Sequence, residues 1–557
     1  MRKYFLFGLT AATLLFTACG GGNDTKKAVK TDIKAKEDSI LNAKVAEYAD
    51  FKLTADISTL SDKEKKILTK LFEASRLMDD IYWLQAFGDK SQVLDTIKSK
   101  AAKKFFTINY GPWDRMDGNK PFIAGFDEKP LGANFYPTNM TKSEFEEWKS
   151  TDKASQYTIA RRDEAGELAS VPYSVAYSEQ IEKAAKLLDQ AAKLAENKQL
   201  NKYLTARAKS LRTDNYYPSD LVWMDMKNSN IDFVGGPIEN YEDELFNYKT
   251  AFEAYILIKN HKETKFYNQF IKYLPKLQKS LPVQKKYKKE VPGKGSDIGV
   301  YNAIYYAGDC NAAGKTIAIN LPNDPKVQLK KGSRKLMLKN VMEAKFNLIV
   351  KPISEVVIDP SQASLVTFNA FFQNTMFHEA AHGLGIKNTI NKKGTVRETL
   401  KEQYSAIEEN KADILGLYMI GELVKLKALP KKALMENYVT FTAGIFRSVR
   451  FGASSSHGKA NMATFNYFVE SGAISRNDKT GYYTINEQAM KQAIKNISHE
   501  ILVIQGNGDY ESALKRATEK GTVSATLKMD LKRIDSKRIP RDLNFIQGPD
   551  VVGVSKF

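Results

Sequence analysis

A chain of 557 residues with 43% apolar and 11% aromatic side chains can bury large cores, which excludes global disorder and points to roughly two to four structural units or one two-lobed protein. Its 2 cysteines exclude a disulfide framework and a four-cysteine zinc site, so a bound metal needs histidine and carboxylate ligands. The 84 Lys+Arg against 65 Asp+Glu, a formal +19, would suit nucleic acid, an anionic membrane or a lysine-rich surface; because the lysines are interleaved with acids, as in Ser61-Asp62-Lys63-Glu64, the solvated surface is the reading adopted, with no nucleic-acid partner.

In chain order, residues 1–18 combine the basic start Arg2-Lys3, an apolar run from Tyr4 to Phe16 and the small pair Thr17-Ala18. This pattern predicts a secretory signal whose end resembles a lipobox, with Cys19 lipidated as the first mature residue. Residues 19–40, opening on Gly20-Gly21-Gly22, then read as a flexible tether. The expectation is an exported lipoprotein anchored to a membrane of the cell envelope, on the periplasmic face or at the surface. Cys310 is left without a partner.

From Val45 to Lys100 apolar residues recur at helical spacing, as at Ile67-Leu68, Leu71-Phe72 and Leu77-Met78. Glycine and proline break the pattern between Tyr110 and Pro137. Helical spacing is read again over Ser178–Arg212 and Tyr248–Leu281, short strands over Gly308–Lys331, and helices over Leu336–Ile353 and Ser361–Ile386. The fold class is therefore α+β, predominantly helical.

The sharpest motif is His378-Glu379-Ala380-Ala381-His382 within the helical run Val366–Leu384. Residues i and i+4 share a helix face, so both imidazoles can meet one ion while Glu379 reaches a water on it. A catalytic zinc takes three protein ligands and keeps one position open. Downstream, Glu408-Glu409-Asn410-Lys411-Ala412-Asp413 enters another helix. A carboxylate there completes the ligand set, and an acid one turn later accepts the free N–H of a ligating imidazole; Glu409 and Asp413 have that spacing. Among the other histidines, His457 is the best candidate to assist at the developing oxyanion, while His261 and His499 read as surface residues.

These motifs, with Gly235-Gly236-Pro237-Ile238-Glu239-Asn240-Tyr241-Glu242-Asp243 and Ile319-Asn320-Leu321-Pro322-Asn323, resemble the dipeptidyl peptidase III family of zinc exopeptidases, in its bacterial branch. The resemblance implies one zinc per chain on His378, His382 and Glu409, with Glu408 and Asp413 behind the ligands. It implies that Glu239, Asn320 and Asn323 hold the ammonium and first peptide unit of an oligopeptide, and that Tyr241 contacts the scissile region. It also implies two lobes around a wide cleft, a helical zinc lobe and a lobe with a small β-barrel. On that basis residues 41–300 are assigned mainly to the substrate lobe, and 301–557 mainly to the zinc lobe with strands returning to the first.

Two departures stand out. Many members of the family have six residues in the zinc motif where this chain has five, followed by Gly383. Asn461 stands where the family's histidine is expected, and His457, one turn earlier, is assigned the stabilising role. The function expected is release of dipeptides from the amino end of oligopeptides, with Glu379 activating the water. The alternatives are a zinc aminopeptidase or oligopeptidase on the same scaffold, or an inactive peptide-binding lipoprotein.

Overall fold

A computed structural model of the protein describes residues 37–290, 297–450 and 455–556. The signal segment 1–18 and Cys19 lie outside the described residues. Of the tether expected over 19–40, only 37–40 are described, and they are not coil: they open a helix that runs to residue 46.

One lobe is organised on five strands, β1 (Ile231–Glu239), β2 (Ala251–Lys259), β3 (Asp297–Gly308), β4 (Ala318–Leu321) and β5 (Arg334–Leu338), in the order β1-β2-β3-β5-β4. Only the β3–β5 pair is parallel. The sheet curls into a half-barrel, and its two edges approach each other where Asn323 Nδ2, just past β4, donates to the Ile238 carbonyl near the end of β1 at 3.2 Å. The architecture is the expected α+β one, with the small barrel present as a half-barrel.

Two helical expectations are corrected. Residues 251–259 form β2, and 334–338 form β5 ahead of the helix Lys339–Lys345. Every residue of β2 from Ala251 to Ile258 is buried, so the strand reads as an apolar run broken only by Glu253, with no alternation, which periodicity does not separate from a buried helix.

Helix α1 (Asp62–Ala86) starts in a capping box between Ser61 and Glu64 and packs on α2 (Ser178–Leu194) and on β2 and β3. With α3 (Lys198–Thr213) these elements enclose one apolar core. The second core lies among α4 (Phe368–Ala381), α5 (Tyr404–Lys425), α6 (Ala433–Val449), α7 (Ser456–Glu470) and α8 (Glu487–Asn507). The sheet is the wall between the two cores. Along β3 and β5 successive residues alternate, Tyr301, Leu336 and Leu338 entering the first core, Val300 and Met337 the second. The division expected between residues 300 and 301 thus falls inside β3. The strand Asp542–Ile546 comes back to pair in parallel with Tyr48–Lys52. No helix among the described residues is long and apolar enough to cross a membrane.

Candidate metal centre

Helix α4 starts at the Thr367 cap, and its last turn presents His378 and His382, joined by a backbone hydrogen bond from His382 N to the His378 carbonyl at 3.3 Å. Opposite runs α5, on which Glu409, Asp413 and Gly416 recur at four and three residues and so share one face. Gly416 lets that face come close: a Cβ there would stand 3.1 Å from the His378 nitrogen.

The close approach brings three donor atoms together. His378 Nε2 lies 3.2 Å from His382 Nε2 and 3.2 Å from Glu409 Oε2, and His382 Nε2 lies 3.9 Å from the same oxygen. Tetrahedral donors held about 2.0–2.1 Å from zinc stand about 3.3 Å apart. The other ring nitrogens are engaged by carboxylates, His378 Nδ1 with Asp413 Oδ1 at 2.6 Å and His382 Nδ1 with Glu408 Oε1 at 2.9 Å. Protons held on Nδ1 leave lone pairs on both Nε2 atoms. Glu409 Oε2 is buried and makes no hydrogen bond of acceptable geometry. With the protons on Nδ1, three lone pairs converge on one point and call for a cation, and the residues present fit zinc.

The electrostatics agree. Burial pushes the Glu409 carboxyl up, but the imidazoles of His378 and His457 outweigh it and hold the group far below the usual carboxylate range. Burial also works against charge on Glu408, where Lys411 and His382 prevail and bring it to about 2. His378 is pushed down by burial and, more strongly, up by Asp413, Glu409 and Glu379. The pocket favours positive charge.

His457, on the first turn of α7, is exposed and places Nε2 3.1 Å from Glu409 Oε2, with its ring nearly parallel to that of His378 at 6.0 Å. His378, Glu409 and His457 thus form a second compact triplet, sharing two members with the first. Asn461, one turn on, donates to Asp413 Oδ2 at 2.9 Å. Glu379 lines a cavity with His378, Asp413 and His457. His261 and His499 are exposed, and Cys310 is buried and unpaired.

Three residues to which the sequence assigns no role at the site support it. Buried Lys411 pairs with Glu408 at 2.7 Å and donates to the carbonyls of His382 at 3.3 Å and Leu384 at 3.0 Å, closing the carboxyl end of the zinc helix. Gln505 on α8 donates to Glu408 Oε2 at 2.9 Å. Asn461 is the third. A lysine three residues after an acid looks like a surface pair in sequence; the apolar residues around it, Ala412, Ile414 and Leu415, were the available signal.

The substrate-side motif sits on the sheet edges. Asp243 accepts hydrogen bonds from the backbone N–H groups of Leu245, Phe246, Tyr248 and Lys249 and from the Tyr136 hydroxyl. Glu242 pairs with Arg115 at 2.5 Å and Lys129 at 3.1 Å. Both acids fix the loop that follows Glu239. Burial raises the Glu239 carboxyl, with Asn323 opposing, and the buried neighbours Asp309, raised to about 7, and Glu253 are raised mainly by burial too. Asn320 and Asn323 are exposed. Tyr241 is 74% exposed, and the charge of Glu239, then burial, then Glu409 push its phenol to about 12.

The chain is 38% identical to a solved structure of DPP III from Caldithrix abyssi, with a TM-score of 0.88 over 91% of this chain and 98% of that one. A model of peptidase family M49 matches residues 135–385. The protein belongs to peptidase family M49. It is a metallopeptidase. A solved dipeptidyl-peptidase III from Corallococcus sp. strain EGB is 34% identical, with a TM-score of 0.82 over 91% of this chain and 97% of that one. Nudix hydrolase 3 of Arabidopsis thaliana is 35% identical over 571 residues, a match covering 90% of this chain and 73% of that protein. The M49 match spans the substrate-side motif and the zinc helix but stops before Glu409.

Proposed function

We propose that this M49 peptidase is a zinc-dependent dipeptidyl peptidase, releasing dipeptides from the amino end of oligopeptides, with one zinc on His378, His382 and Glu409. The observation that carries the reading is the meeting of His378 Nε2, His382 Nε2 and Glu409 Oε2 within 3.2–3.9 Å. Zinc, when bound, supplies Lewis acidity and lowers the pKa of water toward about 7.

The protein's own groups divide the remaining work. Asp413 and Glu408 hold the two imidazoles in the tautomer that offers Nε2. Glu379, on the cavity wall, takes the proton from the attacking water and passes it to the leaving amine. His457 and the Tyr241 hydroxyl donate to the oxygen that gains charge. Glu239, backed by the raised carboxyls of Asp309 and Glu253, makes a pocket that gains from a positive charge, which suits a peptide's free ammonium; Asn320 and Asn323 bind the first peptide unit. An ammonium fixed at one end and the metal at the other measure off two residues, about 7 Å of extended chain.

Purified protein loaded with zinc and given an unlabelled hexapeptide is expected to release dipeptides stepwise from the amino end, read by mass spectrometry. Single residues released first would support an aminopeptidase instead, internal cuts an oligopeptidase, and binding without cleavage a peptide-binding role. Anchoring through Cys19 rests on the sequence of residues 1–19. Labelled palmitate should enter the native chain and not the Cys19→Ser variant; no incorporation into the native chain refutes the anchor.

A further inference from the structure

The cavity next to the metal centre does not end there. It has a volume of about 370 Å³ and is lined at the metal centre by His378, Glu379 and His457. One wall is the face of α4 that carries Phe371 and Thr375, another is α6 at Phe441 and Gly444, and a third is the stretch Thr316–Ala318 leading into β4. Its lining also includes Lys345 and Arg447.

That part of the cavity carries excess positive charge. Lys345 spends its ammonium on Asp542, at 2.8 Å, and on the Lys315 carbonyl. Asp542 Oδ2 also accepts from the Lys315 N–H at 3.2 Å. Arg447 has no hydrogen bond or ion pair among the described residues. Burial pulls its guanidinium down, with the more distant Asp542 opposing. Burial brings the Lys315 ammonium down to about 8. Three cations therefore line the cavity near one carboxylate: Lys345 pairs with Asp542, the Lys315 ammonium donates to the Asn311 carbonyl, and Arg447 has no partner among the described residues. Desolvated cations without a counter-charge are costly, so the arrangement gains from an anion.

The position says which anion. Thr316–Ala318 line the cavity, and the same stretch continues through β4 to Asn320 and on to Asn323, beside Glu239. On the dipeptidyl reading, on which this inference rests, the ammonium end lies at Glu239 and Asn323, so the fragment beyond the scissile bond enters the cavity. We propose that the cavity is a leaving-group subsite for a peptide carboxylate, received by Arg447 and favouring short peptides with a free carboxyl end. A planar guanidinium matches a carboxylate with two parallel hydrogen bonds, and the volume is that of a small-ligand pocket.

The test uses the zinc-loaded full chain and one tetrapeptide sequence in three forms: free acid, C-terminal amide, and amide ending in Glu. The native protein is expected to cleave the acid with kcat/KM at least about tenfold above the amide, mostly through KM. In Arg447→Met the gap should close to within about twofold, and Arg447→Lys should keep part of it. A Glu-amide as good as the acid shows that an acidic side chain serves as well; one no better than the plain amide assigns the site to the α-carboxylate. Equal rates for acid and amide in the native protein, or a gap that survives Arg447→Met, overturn the proposal. If no form yields dipeptides, the dipeptidyl reading has failed. Calorimetric binding of acid and amide to the native chain then decides the subsite separately, equal affinities overturning it.

Discussion

Gly416 stands against the backbone of His378 so closely that a Cβ at 416 would lie 3.1 Å from the His378 nitrogen and 3.2 Å from the Phe377 carbonyl carbon. The contact sets the separation of the two helices that carry the proposed ligands, and backbone atoms cannot swing aside. Gly416→Ala is expected to destabilise the protein by about 1–3 kcal/mol and to weaken zinc binding as Glu409 moves away. Calorimetric melting and zinc titration measure both; an unchanged zinc affinity counts against this role.

His457 belongs to one of the two overlapping triplets, and the account keeps it off the metal. His457→Ala should therefore lower kcat by roughly 100-fold, the order expected for a donor at a developing oxyanion, while zinc content stays at one per chain. His382→Ala should bind zinc far more weakly and hold it only when loaded at high zinc. Zinc lost from His457→Ala and kept by His382→Ala would reverse the assignment.

The Glu239 carboxyl is raised by burial, so it protonates at higher pH than an ordinary glutamate. Ammonium binding needs its charge and is lost as pH falls through that raised pKa. KM for peptides should rise on the acid side, beginning above the usual carboxylate range, with kcat less affected. Glu239→Gln should have a high KM with that acid limb removed. An identical limb in the variant assigns it to another group.

Glu242 shows the opposite shift. Burial would raise it, but Arg115 and Lys129 hold it at about 2 against an ordinary 4.5. A lowered carboxylate contributes stability that is present above the unfolded value and lost as pH falls from about 4.5 toward 2. Denaturant midpoints should drop across that window. Glu242→Gln should flatten the drop and cost about 3–5 kcal/mol at neutral pH by stranding two buried cations; a cost below about 1 kcal/mol contradicts the pairing.

Much of the zinc lobe is legible because its residue types are rare and their spacing is helical. His378 and His382 one turn apart, and Glu409 and Asp413 one turn apart, are read directly as faces. What escapes is whatever depends on the partner element. Strand β2 is hidden by its burial on both faces. Lys411 looks solvated until α5 is laid against the end of α4, where it meets the His382 and Leu384 carbonyls. Asn461 reads as a lost histidine, yet it holds Asp413. Arg447 has no local signature, because its meaning comes from Lys345 and Asp542, which are brought near it by the β5-to-helix turn and the last strand.

The most direct measurement is X-ray absorption at the zinc edge of the loaded protein, compared with His382→Ala and His457→Ala. The account predicts two imidazole nitrogens and a carboxylate oxygen at about 2.0–2.2 Å, one imidazole fewer in His382→Ala, and an unchanged spectrum in His457→Ala. A first shell that loses its imidazole in His457→Ala and not in His382→Ala would contradict it.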